Sequence, residues 1–416
     1  MTKALWIPTI WMLYTFSKPL GIWFPTSGAN PDFGSPLDRA FLIILMSIAL
    51  WILIRRRFDW SNAINENAWL MVLIVYMLVS ILWSNIPTIS FKRWIRELQA
   101  ILMAFFVLSE LSPRQAMESI FRRIAYILIP FSLLLIKYFP KYGVNYGRWV
   151  GGQMWIGVST QKNGLGRLCF VVVFFLIWSL VRRWQGHKAL VWKYENHIEI
   201  FVLAIALWLL KGPGGITYSA TSIISLAVGL LFYGGFYFIK KSGKNLAAGT
   251  LMAIVGIVII FGIVAIFTGG SNVGYLAASA KRDATLTGRT AAWAALLPVA
   301  MQSPLAGRGF GGFWTSGTKG IYNISGAHSG YLDMLLGLGF LGILLISLFL
   351  LTSCRKAQRE LKQNFDWGAL WFCYIIMIVV HNIVESSIDS LASPLTAVIL
   401  FITISSTNVF LRRQQA

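Results

Sequence analysis

Twelve stretches of this sequence are apolar enough to cross a bilayer, and little else in it is long. They fall at roughly 4–24, 38–54, 67–83, 97–111, 120–139, 165–181, 197–211, 216–239, 246–268, 330–353, 368–386 and 394–411. A spanning helix needs about 20 apolar residues. Backbone groups in lipid must bond internally, so spans of this kind are helices. Charged residues are only 12% of the 416, half the ~25% of a soluble domain. So little charge cannot cover a water-facing surface. The expected fold is an all-α polytopic membrane protein of about 12 transmembrane helices, one integral domain over 1–416. A disordered chain, a fibrous repeat and a disulfide scaffold are excluded. The first stretch has no A-x-A cleavage site and reads as a retained span.

The 36 Lys+Arg outnumber the 15 Asp+Glu, giving +21. In a soluble protein that would suggest nucleic acid; here much of it is loop charge that sets orientation. With both termini inside, 20 of the 36 lie in inner segments. Of the other 16, five sit in segment 269–329, long enough to be exempt from the positive-inside rule. The remaining outer charge asks for an anionic partner or snorkels to lipid headgroups. Cys169, Cys354 and Cys373 lie in or at the end of spans, an odd set that suits neither disulfides nor a metal site.

Segment 269–329, between the ninth and tenth spans, is the expected long outer loop. Trp293, Leu296, Leu297, Ala300 and Met301 recur at helical spacing, with Pro298 as a kink. This predicts a short interfacial helix capped by Thr287. Arg289 in its first turn would join the free N–H groups and the positive dipole end, a site for phosphate; otherwise it snorkels to headgroups. Arg282 and Arg308 flank it. Gly307, Gly309 and Gly312 fit G-x-G-x-x-G, but no β-strand precedes them. A tight turn with Phe310, Phe313 and Trp314 on the membrane surface is the expectation.

His328 is the one histidine placed outside, since His187 and His197 are inner. On a continuous helix, Gly339 and Gly342 share its face. That would let a neighbouring helix pack close and hold the imidazole at a cavity mouth; a surface histidine at a span end is the alternative. Segment 87–99 reads as a second interfacial helix, with Lys92, Arg93, Arg96 and Glu97 opposite Phe91, Trp94, Ile95 and Leu98. Segment 140–167 interleaves Lys141, Arg148, Lys162 and Arg167 with Trp149 and Trp155, a pattern suiting a phosphorylated sugar or a plain aromatic belt. His381 and Glu385 lie one turn apart beside Asn382, either a functional pair at membrane depth or a self-satisfied one.

These residues resemble a family. The loop KRDATLTGRTAAWAALLPVAMQSPLAGRGFGGFW (281–314) is similar to the bacterial O-antigen ligase and polymerase family. So is HSGYLDMLLGLGFLG (328–342), which fits its His-[Asn/Ser/Gln]-x9-Gly-x-x-Gly pattern through His328, Ser329, Gly339 and Gly342. The start of the chain and 83–96 resemble the exopolysaccharide repeat-unit polymerase branch. The resemblance implies a GT-C-type, metal-independent, inverting glycosyltransferase without cofactor, in the bacterial inner membrane with its site facing the periplasm. Its donor would be an oligosaccharide on undecaprenyl pyrophosphate, and its acceptor a glycan or lipid-linked glycan. Flippase and chain-length-regulator proteins are the implied partners, beside membrane lipids. His328 would be the base and Arg289 the pyrophosphate ligand. Arg282, Arg308, Arg167, Lys211, Lys162, Arg93 and Arg96 are further candidates for the phosphates, and Glu385, His381, Ser329 and Asp333 for support. Many members carry a second arginine where this chain has Ala220; Lys211 and Arg167 are the candidates to replace it. Ligation of a finished glycan to lipid A-core is the alternative within the family, and a polysaccharide-lipid flippase the alternative outside it.

Overall fold

The computed structural model describes residues 2–25, 34–146, 152–186, 195–212, 218–243, 246–279 and 288–405. Every one of the twelve apolar stretches contains a helix. Seven are long and apolar enough to cross a membrane: Pro36–Arg55, Pro113–Tyr138, Lys162–Trp184, Ala220–Ser242, Thr250–Phe267, Gly330–Gln363 and Phe365–Val384. Ala68–Trp83 and Pro394–Ser405 are shorter apolar helices. The first stretch breaks at 17–19 into Trp6–Phe16 and Leu20–Trp23, because Pro19 cannot continue a helix. Proline also opens Pro36–Arg55, Pro87–Leu108 and Pro113–Tyr138, where its missing N–H has no partner to lose.

Phe365–Val384 runs through the centre, with 89% of its most apolar stretch buried, whereas Pro36–Arg55 is peripheral at 17%. The peripheral helices turn large apolar side chains outward: Ile43, Trp51, Leu231 and Ile257 are all more than half exposed. In water such a surface would aggregate; in lipid it is the ordinary exterior. The protein is an all-α polytopic membrane protein. The one strand pair among the described residues, Val144–Tyr146 with Gln153–Trp155, is a short antiparallel hairpin in segment 140–167.

Two helices differ from expectation. Pro87–Leu108 is one continuous helix, so the proposed interfacial segment 87–99 is its first half. Lys92 and Arg96 are exposed as expected, but Glu97 is 3% exposed and Phe91 47% exposed, so these two depart from their assigned faces. The carboxylate of Glu97 accepts from Ser390 Oγ at 2.9 Å and Ala392 N–H at 3.0 Å, which offsets its desolvation. Gly330–Gln363 is interrupted at Gly339 (φ 67°, ψ −165°). There Phe340 N–H donates to Pro304 O at 2.8 Å and Leu341 N–H to Leu305 O at 3.1 Å. A side chain at Gly339 would collide with the Leu305 carbonyl. The small residue therefore admits a loop, not a neighbouring helix, and His328 and Gly342 do not share one unbroken helical face.

Candidate functional site

Glu385 lies one residue beyond the central helix Phe365–Val384, in extended conformation, with its N–H on His381 O at 3.1 Å. Its carboxylate is 2% exposed and gathers groups from three other elements. Arg289 forms an ion pair with it, and Asn163 donates to it. His328 Nδ1 stands 3.9 Å from Oε2, an ion-pair distance and too long for a hydrogen bond. Burial pushes the Glu385 carboxyl up, but the His328 ring and the Arg289 and Arg167 guanidinium groups outweigh it and hold it at about 2. It is a carboxylate at any physiological pH.

His328 is clamped from both sides. It has φ 51°, a left-handed backbone that is uncommon outside glycine and marks stored strain. The preceding residue, Ala327, donates its N–H to Asp333 Oδ1 at 3.2 Å and accepts Trp293 Nε1 at 2.8 Å. Two residues on, Gly330 N–H donates to Glu385 O at 3.1 Å. The ring keeps 29% of its surface exposed. Ser329 is fully buried and its Oγ has no partner among the described residues.

Arg289 begins the helix Arg289–Ala300, whose Trp293, Leu296 and Ala300 are buried as their spacing requires. Trp293 sits one turn after Arg289 and bonds beside His328, so one helix positions both groups. The residue at the N-cap is Gly288, with φ 84°; Thr287, the expected cap, lies outside the described residues. Arg289 is not a free cation awaiting phosphate but is already paired with Glu385. A guanidinium has five donors, so one carboxylate leaves others for an anion. Arg167, on Lys162–Trp184, reaches Ser386 O at 3.5 Å, and its buried Nε has no partner among the described residues.

Asp333 ties this centre to a second space. It accepts Trp314 Nε1 at 2.6 Å, the Ala327 N–H and the Ser386 hydroxyl. Beyond it lies a cavity of about 230 Å³, lined also by Arg93, Arg96, Phe313 and Asp389. Burial, then the neighbouring Asp333 and Glu97, raise the Asp389 carboxyl to about 7. Phe310 and Phe313, expected on the membrane surface, are 5% exposed inside the protein, and Trp314 is held by Asp333. The cause is the turn at Gly307, Gly309 and Gly311, all at positive φ, which folds the segment inward. A side chain at Gly307 would meet the backbone of Gly337 and Leu338.

The remaining candidates separate. Arg93 donates to the carbonyls of Gly311 and Trp314, away from Glu385. Arg308 donates to Gln302. Lys162 lines a narrow crevice with Tyr218 and Leu209, and Lys211 is exposed at the end of Glu195–Lys211. Arg282 lies outside the described residues. His381 is fully buried and neither ring nitrogen has a partner among the described residues, so the expected His381–Glu385 pair does not form. Asn382 instead accepts from the N–H groups of Ser387 and Ile388. Asn163 escaped sequence reasoning, although its i, i+4 spacing to Arg167 puts both on one face.

Residues 205–347 match the family model described as O-Antigen ligase, a stretch that encloses both Arg289 and His328. The chain is also similar to the Exopolysaccharide production protein ExoQ of Rhizobium meliloti (strain 1021). The two are 23% identical over 323 residues, covering 74% of this chain and 70% of the relative. Both likenesses point to the O-antigen ligase and polymerase family, the first over about a third of the chain. They are the likenesses of a membrane enzyme of the ligase/polymerase type. Arg167 and Glu385 lie beyond the stretch that the family model matches.

Proposed function

We propose that the protein polymerises oligosaccharide repeat units carried on undecaprenyl pyrophosphate, at the periplasmic face of the bacterial inner membrane. The observation that carries this is the convergence of His328, Arg289 and Arg167 on Glu385. Nδ1 of His328 faces the carboxylate, which orients the ring and leaves Nε2 for an acceptor hydroxyl. Nε2 takes the hydroxyl proton as the oxygen attacks the anomeric carbon of the donor sugar. The bond to pyrophosphate breaks on the opposite side, and the departing charge is met by Arg289 and the unpartnered Nε of Arg167. Attack opposite the leaving group inverts the anomeric centre. Arg167 takes the place of the arginine that the resemblance expects at Ala220. Gly166 packs against Ser219 and Ser222, on either side of Ala220, which supports that substitution.

The test supplies purified protein with repeat-unit donor alone. A ladder of longer lipid-linked products is expected. Products that need a lipid A-core acceptor would mean ligation, and glycan movement across proteoliposomes without a new bond would mean a flippase. Arg289→Gln is expected to weaken donor use by about 10–100-fold, as loss of a charge-assisted contact does. Coupling to flippase and chain-length-regulator proteins belongs to the same reading.

A further inference from the structure

The cavity of about 230 Å³ beside the Glu385 centre has no part in the chemistry above. One loop serves both. Residues 385–393 join the central helix to Pro394–Ser405; they begin with Glu385 and carry Asp389 into the cavity lining. The loop is pinned along its length. Ser386 donates its hydroxyl to Asp333, and Ser387 and Ile388 give their N–H groups to Asn382 Oδ1 at 2.8 and 3.0 Å. Ser390 Oγ reaches Glu97 at 2.9 Å, and Ser393 Oγ reaches Ser387 O at 2.6 Å. Asp389 is the exception. Its carboxyl takes its own N–H, and among the described residues no other group hydrogen-bonds to it.

Trp314 and Phe313 supply an aromatic wall. Their rings pack edge to face with centroids 4.8 Å apart, and the indole N–H is fixed on Asp333 at 2.6 Å. Asp333 and Glu97 also border the space, but their carboxylates are engaged by the protein itself. The cavity thus offers one open carboxyl, a rigid pair of rings and the guanidinium of Arg96. An apolar ligand would leave the carboxyl unpaired at a cost, and an anion has no proton to give it. A sugar meets each group: its hydroxyls both donate and accept, and its C–H face rests on aromatic rings. At about 230 Å³ the space is below the ~300–1,000 Å³ of a drug-sized ligand's pocket, and suits one ring, not a chain. Its wall also touches the base, since Asp333 holds the N–H of Ala327, the residue before His328, at 3.2 Å.

We propose that this cavity is the acceptor's sugar subsite. One hydroxyl-bearing ring seats against Trp314 and Phe313 and donates to Asp389, and the saccharide is thereby held with its reacting hydroxyl at His328. The inference rests on the polymerase reading, in which a second saccharide is held while the first is transferred, and it names the residues that hold it. Because the acceptor in a buried polar site is selected by its hydroxyls, Asp389 is a specificity-determining residue.

The probe is the repeat-unit oligosaccharide freed from its lipid diphosphate by mild acid, which keeps the acceptor end and has no leaving group. Calorimetric titration into the full chain in phosphatidylcholine nanodiscs should show one molecule bound per chain. Asp389→Ala should weaken binding about 10–100-fold, as loss of a hydrogen bond to a charged group does. Asp389→Asn, which keeps an acceptor oxygen, should lose less. Gly337 lines the same cavity from another helix, and a Cβ there meets nothing closer than Gly309 O at 4.0 Å. Gly337→Leu should therefore block the sugar by volume without touching Asp389. Arg289→Gln, outside the cavity, should bind the oligosaccharide as the native protein does. Binding that is equal in the native protein, Asp389→Ala and Gly337→Leu overturns the proposal, as does a native protein that binds none at millimolar concentration. Asp389-dependent binding without a product ladder from donor alone removes the polymerase reading and keeps the subsite. A ladder with binding indifferent to Asp389 and Gly337 removes the subsite and keeps the polymerase.

Discussion

The helix Lys162–Trp184 carries a charge cluster at each end, about 24 Å apart at 1.5 Å per residue. At its far end, Arg122, Arg182 and Arg183 meet Glu118, Glu195 and Glu199. Arg122 reaches Glu118 at 2.6 Å, Glu195 at 2.8 Å and Glu199 at 3.0 Å. Arg182 reaches Glu118 at 3.2 Å, and Arg183 pairs with Glu195 at 3.2 Å and with Glu199. Three guanidinium groups balance three carboxylates, and the cluster is closed. At the near end two guanidinium groups and an imidazole face one carboxylate, and the imidazole is partly exposed. Both clusters are built around arginine–glutamate pairs. A balanced one joins helices; an unbalanced one has room for an anion from outside.

The sharpest break of that contrast is His328→Ala. It is expected to lower turnover of purified lipid-linked donor by about 10²–10⁴ while leaving the melting temperature near its original value. Near-normal turnover would remove His328 from the role of base. Next comes Arg122→Gln, which leaves buried carboxylates unpaired and is expected to cost about 3–5 kcal/mol of stability, with activity per folded molecule unchanged. An Arg122→Gln protein that is stable but inactive would mean that the far cluster is not purely structural.

A smaller effect should come from inorganic pyrophosphate. At 100 times its dissociation constant, bound anion raises stability by about 2.7 kcal/mol. Thermal melts should show this gain in the native protein and in Arg122→Gln, relative to each without anion, but not in Arg289→Gln. The smallest effect is on acid stability. The Glu385 carboxyl is held at about 2, below its usual 4.5. The stability it contributes is therefore fully present above pH 4.5 and is lost as the pH falls toward 2. Glu385→Gln should be less stable than the native protein at pH 7, and the gap should close below pH 4.5. A gap that persists at pH 2 would point to lost packing and not to lost charge.

Much of this was legible in the residues. The apolar stretches gave the helices, since hydrocarbon length is written directly in sequence. The spacing of Trp293, Leu296 and Ala300 gave the helix that carries Arg289. His328 and Arg289 were found by pattern and do converge. What escaped was tertiary. Glu385 was seen as a partner of His381 one turn away, but the helix ends before it, and an extended residue points elsewhere. Phe310 and Phe313 looked like membrane anchors because hydrophobicity does not say which apolar surface a side chain meets. Arg93 and Arg96 were counted with Arg289 because charge alone does not reveal which space a side chain lines.

The interruption at Gly339 divides one long helix into two lengths that are both tied to the 304–308 loop. Residues 330–338 accept the Arg308 N–H on Leu336 O at 2.9 Å and carry Asp333, which holds Ala327 beside His328. Residues 340–363 start on the same loop, through Phe340 and Leu341. A thinner bilayer is met by tilting helices, and a tilt of the long helix therefore bears on the loop that it shares with the His328 side of the break.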